Sequence, residues 1–273
     1  MRRIVVCADD YALAPGVSKA IRALIEQGRI NATSVMTGVP GFATEAAVLA
    51  MTEAPFRFET GLHVTLTGPF RPLAAAPLAG ADGNFPPLAK FLDPLARFRI
   101  DRRAVEAEVG AQMRAFTDAF GRPPDFVDGH QHVQLLPGVR EGFLAAVARF
   151  VPKAWVRQCG PANWRALVTA DNKTRFIAAL SYGFRNKAAR AGLRFNPAFA
   201  GAYDFGADEN FAALFARFID GLPADGLVMC HPGFVDIELK ARDPLTDRRE
   251  AEYAFLAGNE FPQILARAGA TLS

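Results

Sequence analysis

An apolar run from Ile4 to Ala8 ends in two adjacent carboxylates, Asp9 and Asp10, and this junction constrains the chain more than any other stretch. The run is short and rich in β-branched residues, so it reads as a buried strand. Successive side chains on a strand point to opposite faces. Asp9 and Asp10 can therefore serve one site only if the backbone turns between them. Two carboxylates held so close repel, and a nearby cation is the usual remedy. The rest of the chain has to bring that cation, or the ligands that hold one, to the end of this strand.

Behind the junction the pattern alternates. Val17, Ala20, Ile21, Leu24 and Ile25 recur at helical spacing, and Gly28 stops that helix. Ala32 to Met36 predicts a second strand, Phe42 to Met51 a helix and Phe58 to Thr65 a third strand. Asp101 is a good N-cap for a helix reaching Phe120. Phe126 to Gly129, Trp155 to Gln158 and Leu227 to Cys230 predict further short strands. Helices are predicted from Pro137 to Phe150, Lys173 to Ala191 and Phe211 to Leu222. Asp247 with Glu250 forms a capping box for one running through Leu256. A last helix near Ile264 and a short strand near Thr271 close the chain. Thr67 to Pro87 and Phe195 to Phe205 read as irregular, and a loop as long as the first is usually a lid or an insertion. Strands alternating with helices predict parallel βα units. The 273 residues, 51% of them apolar, suffice for one barrel-sized domain spanning residues 1–273, and no stretch looks like a linker.

Thirty-one basic residues against 28 acidic ones give a net charge of +3, too little for a nucleic-acid footprint. The Arg-rich stretches Arg97 to Arg103 and Arg185 to Arg194 read as solvated helix faces. Cys7, Cys159 and Cys230 are odd in number and far apart, which argues against a disulfide framework and for a reducing compartment. Neither a signal-peptide pattern nor an apolar stretch of membrane-spanning length is visible. A cytoplasmic chain without a transmembrane segment is the expectation.

The polar residues then fall into register. Asp9 and Asp10, His63, the group Asp128/His130/His132, Arg157 and His231 each lie at or just past the C-terminal end of a predicted strand. Active sites of parallel α/β folds assemble at that edge. All four histidines of the chain belong to the set. Two imidazoles and one carboxylate suit a divalent metal with positions left for water and substrate. The other carboxylate of the pair would serve as general base. Asp128 could orient a histidine, His231 could protonate a leaving group, and Arg157 could meet an oxyanion or another anionic group. Each residue also has a bland reading: a turn for Asp-Asp, a core hydrogen bond for His63, a carboxylate partner for Arg157, packing for Cys7 and Cys230.

The ordered set Ala8-Asp9-Asp10-Tyr11, Thr33-Ser34, Gly61 to Thr67, Asp128 to His132 and Cys230 to Gly233 resembles the YdjC-like carbohydrate deacetylases. That family includes chitooligosaccharide deacetylases and hopanoid-biosynthesis-associated proteins. The resemblance runs from about residue 3 to past residue 240. It implies a distorted (β/α) barrel and metal-dependent removal of an N-acetyl group from an acetylated sugar or glycolipid. By position it makes Asp10, His63 and His130 the metal ligands, Asp9 the base and His231 the acid. Asp128, His132, Tyr11 and Tyr203 are then expected in the second layer or against substrate. Magnesium is the metal usually named for the family, zinc also suits two imidazoles, and a homodimer is a family expectation. The aromatic segment Phe195 to Phe205 and the loop Thr67 to Pro87 are candidates for sugar contact. Two positions depart from the family pattern: Ala12 stands where a glycine is usual, and Gln134 where a further histidine is. A phosphoester hydrolase and a degenerate sugar-binding protein on the same barrel are the competing readings.

Overall fold

The computed structural model describes residues 1–74, 78–93, 100–163, 167–168, 170–205 and 210–273. Parts of the expected loop Thr67 to Pro87 and of the stretch Arg97 to Arg103 lie outside the described residues. In chain order the strands are β1 (Arg2–Arg3), β2 (Val5–Tyr11), β3 (Ala32–Val35), β4 (Glu59–Val64), β5 (Phe126–Gly129), β6 (Trp155–Val156), β7 (Phe199–Ala200), β8 (Leu227–Cys230) and β9 (Ala270–Thr271). The helices are α1 (Pro15–Glu26), α2 (Phe42–Ala50), α3 (Leu88–Leu92), α4 (Arg102–Phe120), α5 (Val139–Phe150), α6 (Asn172–Arg190), α7 (Phe211–Ile219), α8 (Ile237–Arg242), α9 (Arg249–Ala257) and α10 (Glu260–Arg267).

Seven strands form one parallel sheet in the order β6-β5-β4-β3-β2-β8-β7. β2 lies inside it, buried along its whole length, as an apolar strand covered on both faces should be. Because every strand runs the same way, their C-terminal ends share one rim. The pair β1–β9 stands apart from this sheet and joins the two ends of the chain. Asn31 reinforces that junction: its Oδ1 accepts from Val6 N–H, and its Nδ2 donates to Ile4 O and Leu272 O, each at 2.8 Å.

The two edges of the sheet meet. Val156 N–H donates to Arg194 O and Phe199 N–H to Gly160 O, both at 2.9 Å. Between these contacts side-chain amides replace a regular ladder. Gln158 N–H donates to Asn196 Oδ1 at 2.9 Å, and Asn196 Nδ2 returns a bond to Gln158 O at 3.0 Å. The sheet is thereby curled into the expected distorted (β/α) barrel. Phe195 to Phe205, expected to be irregular, contains β7, whose two-residue pairing is too short to leave a period-two pattern.

At the C-terminal end of β2 the ladder slips. Ala8 pairs with Thr33 and Tyr11 with Val35, so β2 advances three residues while β3 advances two. This is a β-bulge at the Asp9-Asp10 pair, and Asp10 takes the left-handed conformation with φ 69°. The strand thus continues through both carboxylates to Tyr11 instead of ending at Ala8. Leu13 N–H then donates to Asp10 O at 3.0 Å, closing a turn in which Ala12 has φ 74°. That is the third position of the turn, where a positive φ favours glycine. Ser18 Oγ accepts the Ala12 N–H at 3.0 Å and holds the conformation.

The capping box at Asp247 does not form. α9 starts at Arg249 with no side-chain cap bond, Asp247 accepts instead from Thr246 Oγ1, and Glu250 reaches back to Val235 N–H. Asp101 does cap α4, accepting from Arg103 N–H at 2.8 Å.

A β-carbon in the left-handed region costs about 1–2 kcal/mol, partly offset by the extra chain freedom glycine brings to the unfolded state. Ala12→Gly should therefore raise unfolding stability in urea by up to about 1 kcal/mol. An unchanged or lowered midpoint would show that the turn is not strained.

Candidate active site

The bulge points both carboxylates of β2 into the same end of the barrel. Asp10 Oδ1 lies 3.2 Å from His63 Nε2 and 2.9 Å from His130 Nδ1. Each of the three residues offers a ligand atom within 4.8 Å of those of the other two, and all three side chains are buried. β4 supplies His63. His130 opens the 3-10 turn His130–Leu135 that follows β5. The far nitrogen of His63 is engaged: Nδ1 donates to Asp128 Oδ1 at 2.6 Å, and Ser34 Oγ lies 3.0 Å from it. This bond engages Nδ1 and turns Nε2 toward Asp10, where Nε2 would become the metal-ligating nitrogen once a bound cation displaces its proton. The set of one carboxylate oxygen and two imidazole nitrogens fits a divalent cation of borderline softness.

Asp9 faces the other way. Arg157 forks onto it, Nη1 to Oδ2 at 2.6 Å and Nη2 to Oδ1 at 2.7 Å. The same Nη2 lies 2.5 Å from Asp128 Oδ2 and 3.1 Å from Cys7 Sγ. Cys7, Asp9 and Asp128 form a second group with metal-like spacing, and the guanidinium stands among them. Arg157 was expected to face an oxyanion; it is fully buried and its bonds go to two protein carboxylates. Cys7, expected only to pack, touches the guanidinium through its sulfur.

The electrostatics follow from these contacts. Burial raises the Asp9 carboxyl, but Arg157 and His63 outweigh it and hold the group well below the usual carboxylate range. Asp10 is likewise depressed, burial being overcome by His130 and Arg249. Burial lowers His63, yet Asp128 and Asp10 carry it up to about 10. His231 goes down to about 4, because burial outweighs the attraction of Asp10 and Asp9. Near neutral pH Asp9 is therefore ionised and His231 neutral.

The remaining expected residues divide. His231 follows β8, its buried Nδ1 has no hydrogen-bond partner among the described residues, and its ring meets Phe205 edge-on at 5.5 Å. His132 stays out of the metal-like cluster: with φ 57° it turns aside, and its Nδ1 lies 3.5 Å from Cys159 Sγ. Tyr11, expected against substrate, is fully buried, its hydroxyl donating to Glu45 O and accepting from Arg22, both at 2.8 Å. Tyr203, also expected there, is 6% exposed and donates to Glu252 Oε1 at 2.6 Å. Gln134 is buried behind Gly129 with its Nε2 toward Arg157 O, so it has no surface to offer a sugar.

Three residues of the site went unnoticed in the sequence. Arg249 Nη2 donates to Asp10 Oδ2 at 2.7 Å, Asp243 Oδ2 lies 3.8 Å from His130 Nε2, and Glu252 accepts from His231 N–H at 2.5 Å. They sit in the charged stretch from Asp243 to Glu252, which reads as solvated surface. The one available signal was the spacing of Arg249 and Glu252, three apart and so on one helix face.

Removing Arg157 tests this balance. Arg157→Met removes the guanidinium that both Asp9 and Asp128 bond and leaves the buried pair only the His63 ring as counter-charge, which should cost about 3–5 kcal/mol at neutral pH. A depressed carboxyl contributes stability above its unfolded pKa near 4 and loses it as pH falls through its folded value. The deficit of Arg157→Met relative to wild type should therefore narrow as the pH is lowered below about 4. Urea titrations at several pH values measure it, and a deficit independent of pH would contradict the pairing.

A family model described as YdjC-like protein matches residues 3–267. The chain is 31% identical over 257 residues to the carbohydrate deacetylase of Homo sapiens, covering 86% of this chain and 76% of the human one. It is 29% identical over 273 residues to the carbohydrate deacetylase of Geobacillus stearothermophilus, covering 99% of this chain and 96% of that one. A crystal structure from Enterococcus faecalis V583, of a protein proposed to cleave cellobiose phosphate, superposes with a TM-score of 0.77. It covers 100% of this chain and 97% of that one at 20% identity, and the two share a fold.

Proposed function

The chain belongs to the YdjC-like family, and on that premise we propose that it hydrolyses the N-acetyl group of an acetylated amino sugar, carried on an oligosaccharide or a glycolipid. The observation that carries this reading is the buried convergence of Asp10 Oδ1, His63 Nε2 and His130 Nδ1 beside a second, ionised carboxylate, Asp9. Asp10, His63 and His130 would hold a divalent cation, magnesium or zinc, which when bound polarises an amide carbonyl and acidifies water.

The protein's own groups account for the protons. Asp9 is ionised and takes the proton of the attacking water. Arg157 keeps that carboxylate in place and charged, so it acts on Asp9 and not on the substrate. His231 delivers a proton to the leaving amine. It is neutral at rest, so the proton that Asp9 has taken from the water must pass to His231 before His231 delivers it to the amine. The amide C–N bond breaks, and acetate and the free amine leave with the atoms of one water shared between them. Phe205, whose ring abuts His231, is a better candidate for stacking on a sugar face than the buried Tyr203.

Neither departure from the family pattern removes a group from this scheme. Ala12 adopts the backbone that glycine would, and Gln134 lies behind the site. A two-metal phosphoester hydrolase finds less support, since Arg157 occupies the place between the carboxylates where a second cation would sit.

Acetate release from N-acetylglucosamine oligomers and acetylated glycolipids, with added magnesium or zinc, tests the proposal. Wild type should release acetate, and Asp9→Asn should lose at least about 100-fold in kcat, as expected for a general base. If no acetylated sugar yields acetate while the folded protein binds the cation, the reading fails.

A further inference from the structure

The first turn of α9 meets the site in two places that the proposed reaction does not itself use. Arg249 and Glu252 share one helix face, and both are 0% exposed. Arg249 Nη2 bonds Asp10 Oδ2, while its Nε donates to Leu245 O at 2.8 Å. Glu252 Oε2 accepts from His231 N–H at 2.5 Å, and Oε1 accepts from the Tyr203 hydroxyl at 2.6 Å. Between them Glu250 Oε1 accepts from Val235 N–H, and the backbone O of Arg249 accepts from Gly233 N–H, both at 3.1 Å. A single helical turn thus fastens the carboxylate that faces the two imidazoles, the turn carrying His231, and the segment after β7.

Burying a charged side chain is costly unless its bonds compensate, so apolar packing would secure α9 at less expense. The bonds of Glu252 indicate what is gained. A catalytic histidine is commonly aimed by a hydrogen bond to its second ring nitrogen. His231 Nδ1 is buried and has no such partner among the described residues. Its backbone N–H, by contrast, ends on a fully buried carboxylate that is itself tied to Tyr203. The usual orienting bond has moved from the ring to the main chain.

We propose that Glu252 is a positioning residue for His231, holding its backbone so that the ring points toward the leaving amine. This rests on the reading of His231 as the group that delivers the proton. Tyr203 completes the device by fixing the other carboxylate oxygen, which explains why a tyrosine expected against sugar lies buried instead. Glutamine at position 252 can preserve both links, its oxygen accepting from His231 N–H and its amide donating to the tyrosine oxygen. Alanine preserves neither. Aspartate is one methylene too short to reach both.

The test compares wild type with Glu252→Gln, Glu252→Asp, Glu252→Ala and Tyr203→Phe as full chains loaded with magnesium. Acetate release from N-acetylglucosamine oligomers gives kcat and KM, and bound cation is measured in parallel. The His231 ring is followed by NMR of nitrogen-labelled histidine, its signals being those absent from His231→Asn. A misplaced catalytic group costs on the order of 100-fold, so Glu252→Ala and Glu252→Asp should lose roughly 10- to 100-fold in kcat. KM and cation content should stay as in wild type, and the His231 signals should shift. Glu252→Gln should recover most of the rate, and Tyr203→Phe should lose less than the alanine variant. If Glu252→Ala does not fold, Glu252→Asp carries the comparison. Wild-type kcat and unshifted His231 signals in the aspartate and alanine variants would overturn the proposal, as would equal losses in glutamine and alanine. Should wild type release no acetate, the proposed reaction fails by itself, and the NMR comparison still decides whether Glu252 places His231.

Discussion

The guanidinium of Arg157, wedged between Asp9 and Asp128 without solvent, is the interaction on which the rest of this structure depends. Asp9, Asp10 and Asp128 gather at one end of a buried sheet, each less than 3% exposed. At an effective dielectric near 20 two unit charges 4 Å apart interact by about 4 kcal/mol, so such a group cannot stand uncompensated. Arg157 reaches it from β6 and Arg249 from α9, elements far apart in the chain. The barrel closure serves this purpose directly. β6 has only two ladder residues, and the Gln158–Asn196 amide exchange just past Arg157 is what holds that edge in place.

Charge compensation alone would not divide the labour between two adjacent aspartates. The bulge in β2 does. An extra residue in the left-handed conformation lets Asp10 face His63 and His130, while Asp9 faces Arg157. Aspartate is among the few residues that tolerate this backbone readily, and Ala12 two residues on is not. Local strain is accepted where the site needs a particular direction of approach. The outcome is one carboxylate among imidazoles and one held ionised by a guanidinium, each prepared for a different task.

Much of this was legible in the sequence, because it follows short-range rules. The alternation of apolar strands and amphipathic helices gave the parallel βα units, the family resemblance gave the distorted barrel, and the histidines at or just past strand ends pointed to the rim. The pairing of His63 and His130 with Asp10 came from the family resemblance, since the residue types alone left open which two histidines and which aspartate belong together. Directions could not be read. Whether Arg157 faces substrate or protein depends on the tilt of a two-residue strand, and whether Tyr11 and Tyr203 face sugar or core depends on helices packed outside them. β7 was missed because its two residues are too few to leave a period-two pattern, and Asp247 looked like a cap because its neighbours suit one. Arg249 and Glu252 were hidden by their chemistry: charged helix residues are usually solvated, and only the tertiary structure shows them fully buried.

One cation on Asp10, His63 and His130 is the expected occupancy of this rim, because a guanidinium already fills the neighbouring acidic pocket. Anomalous diffraction from crystals soaked in manganese measures this directly. One peak is expected, within bonding distance of Asp10 Oδ1, His63 Nε2 and His130 Nδ1, and none among Cys7, Asp9 and Asp128. A peak in the second pocket with Arg157 displaced, or no peak at the first, would contradict it.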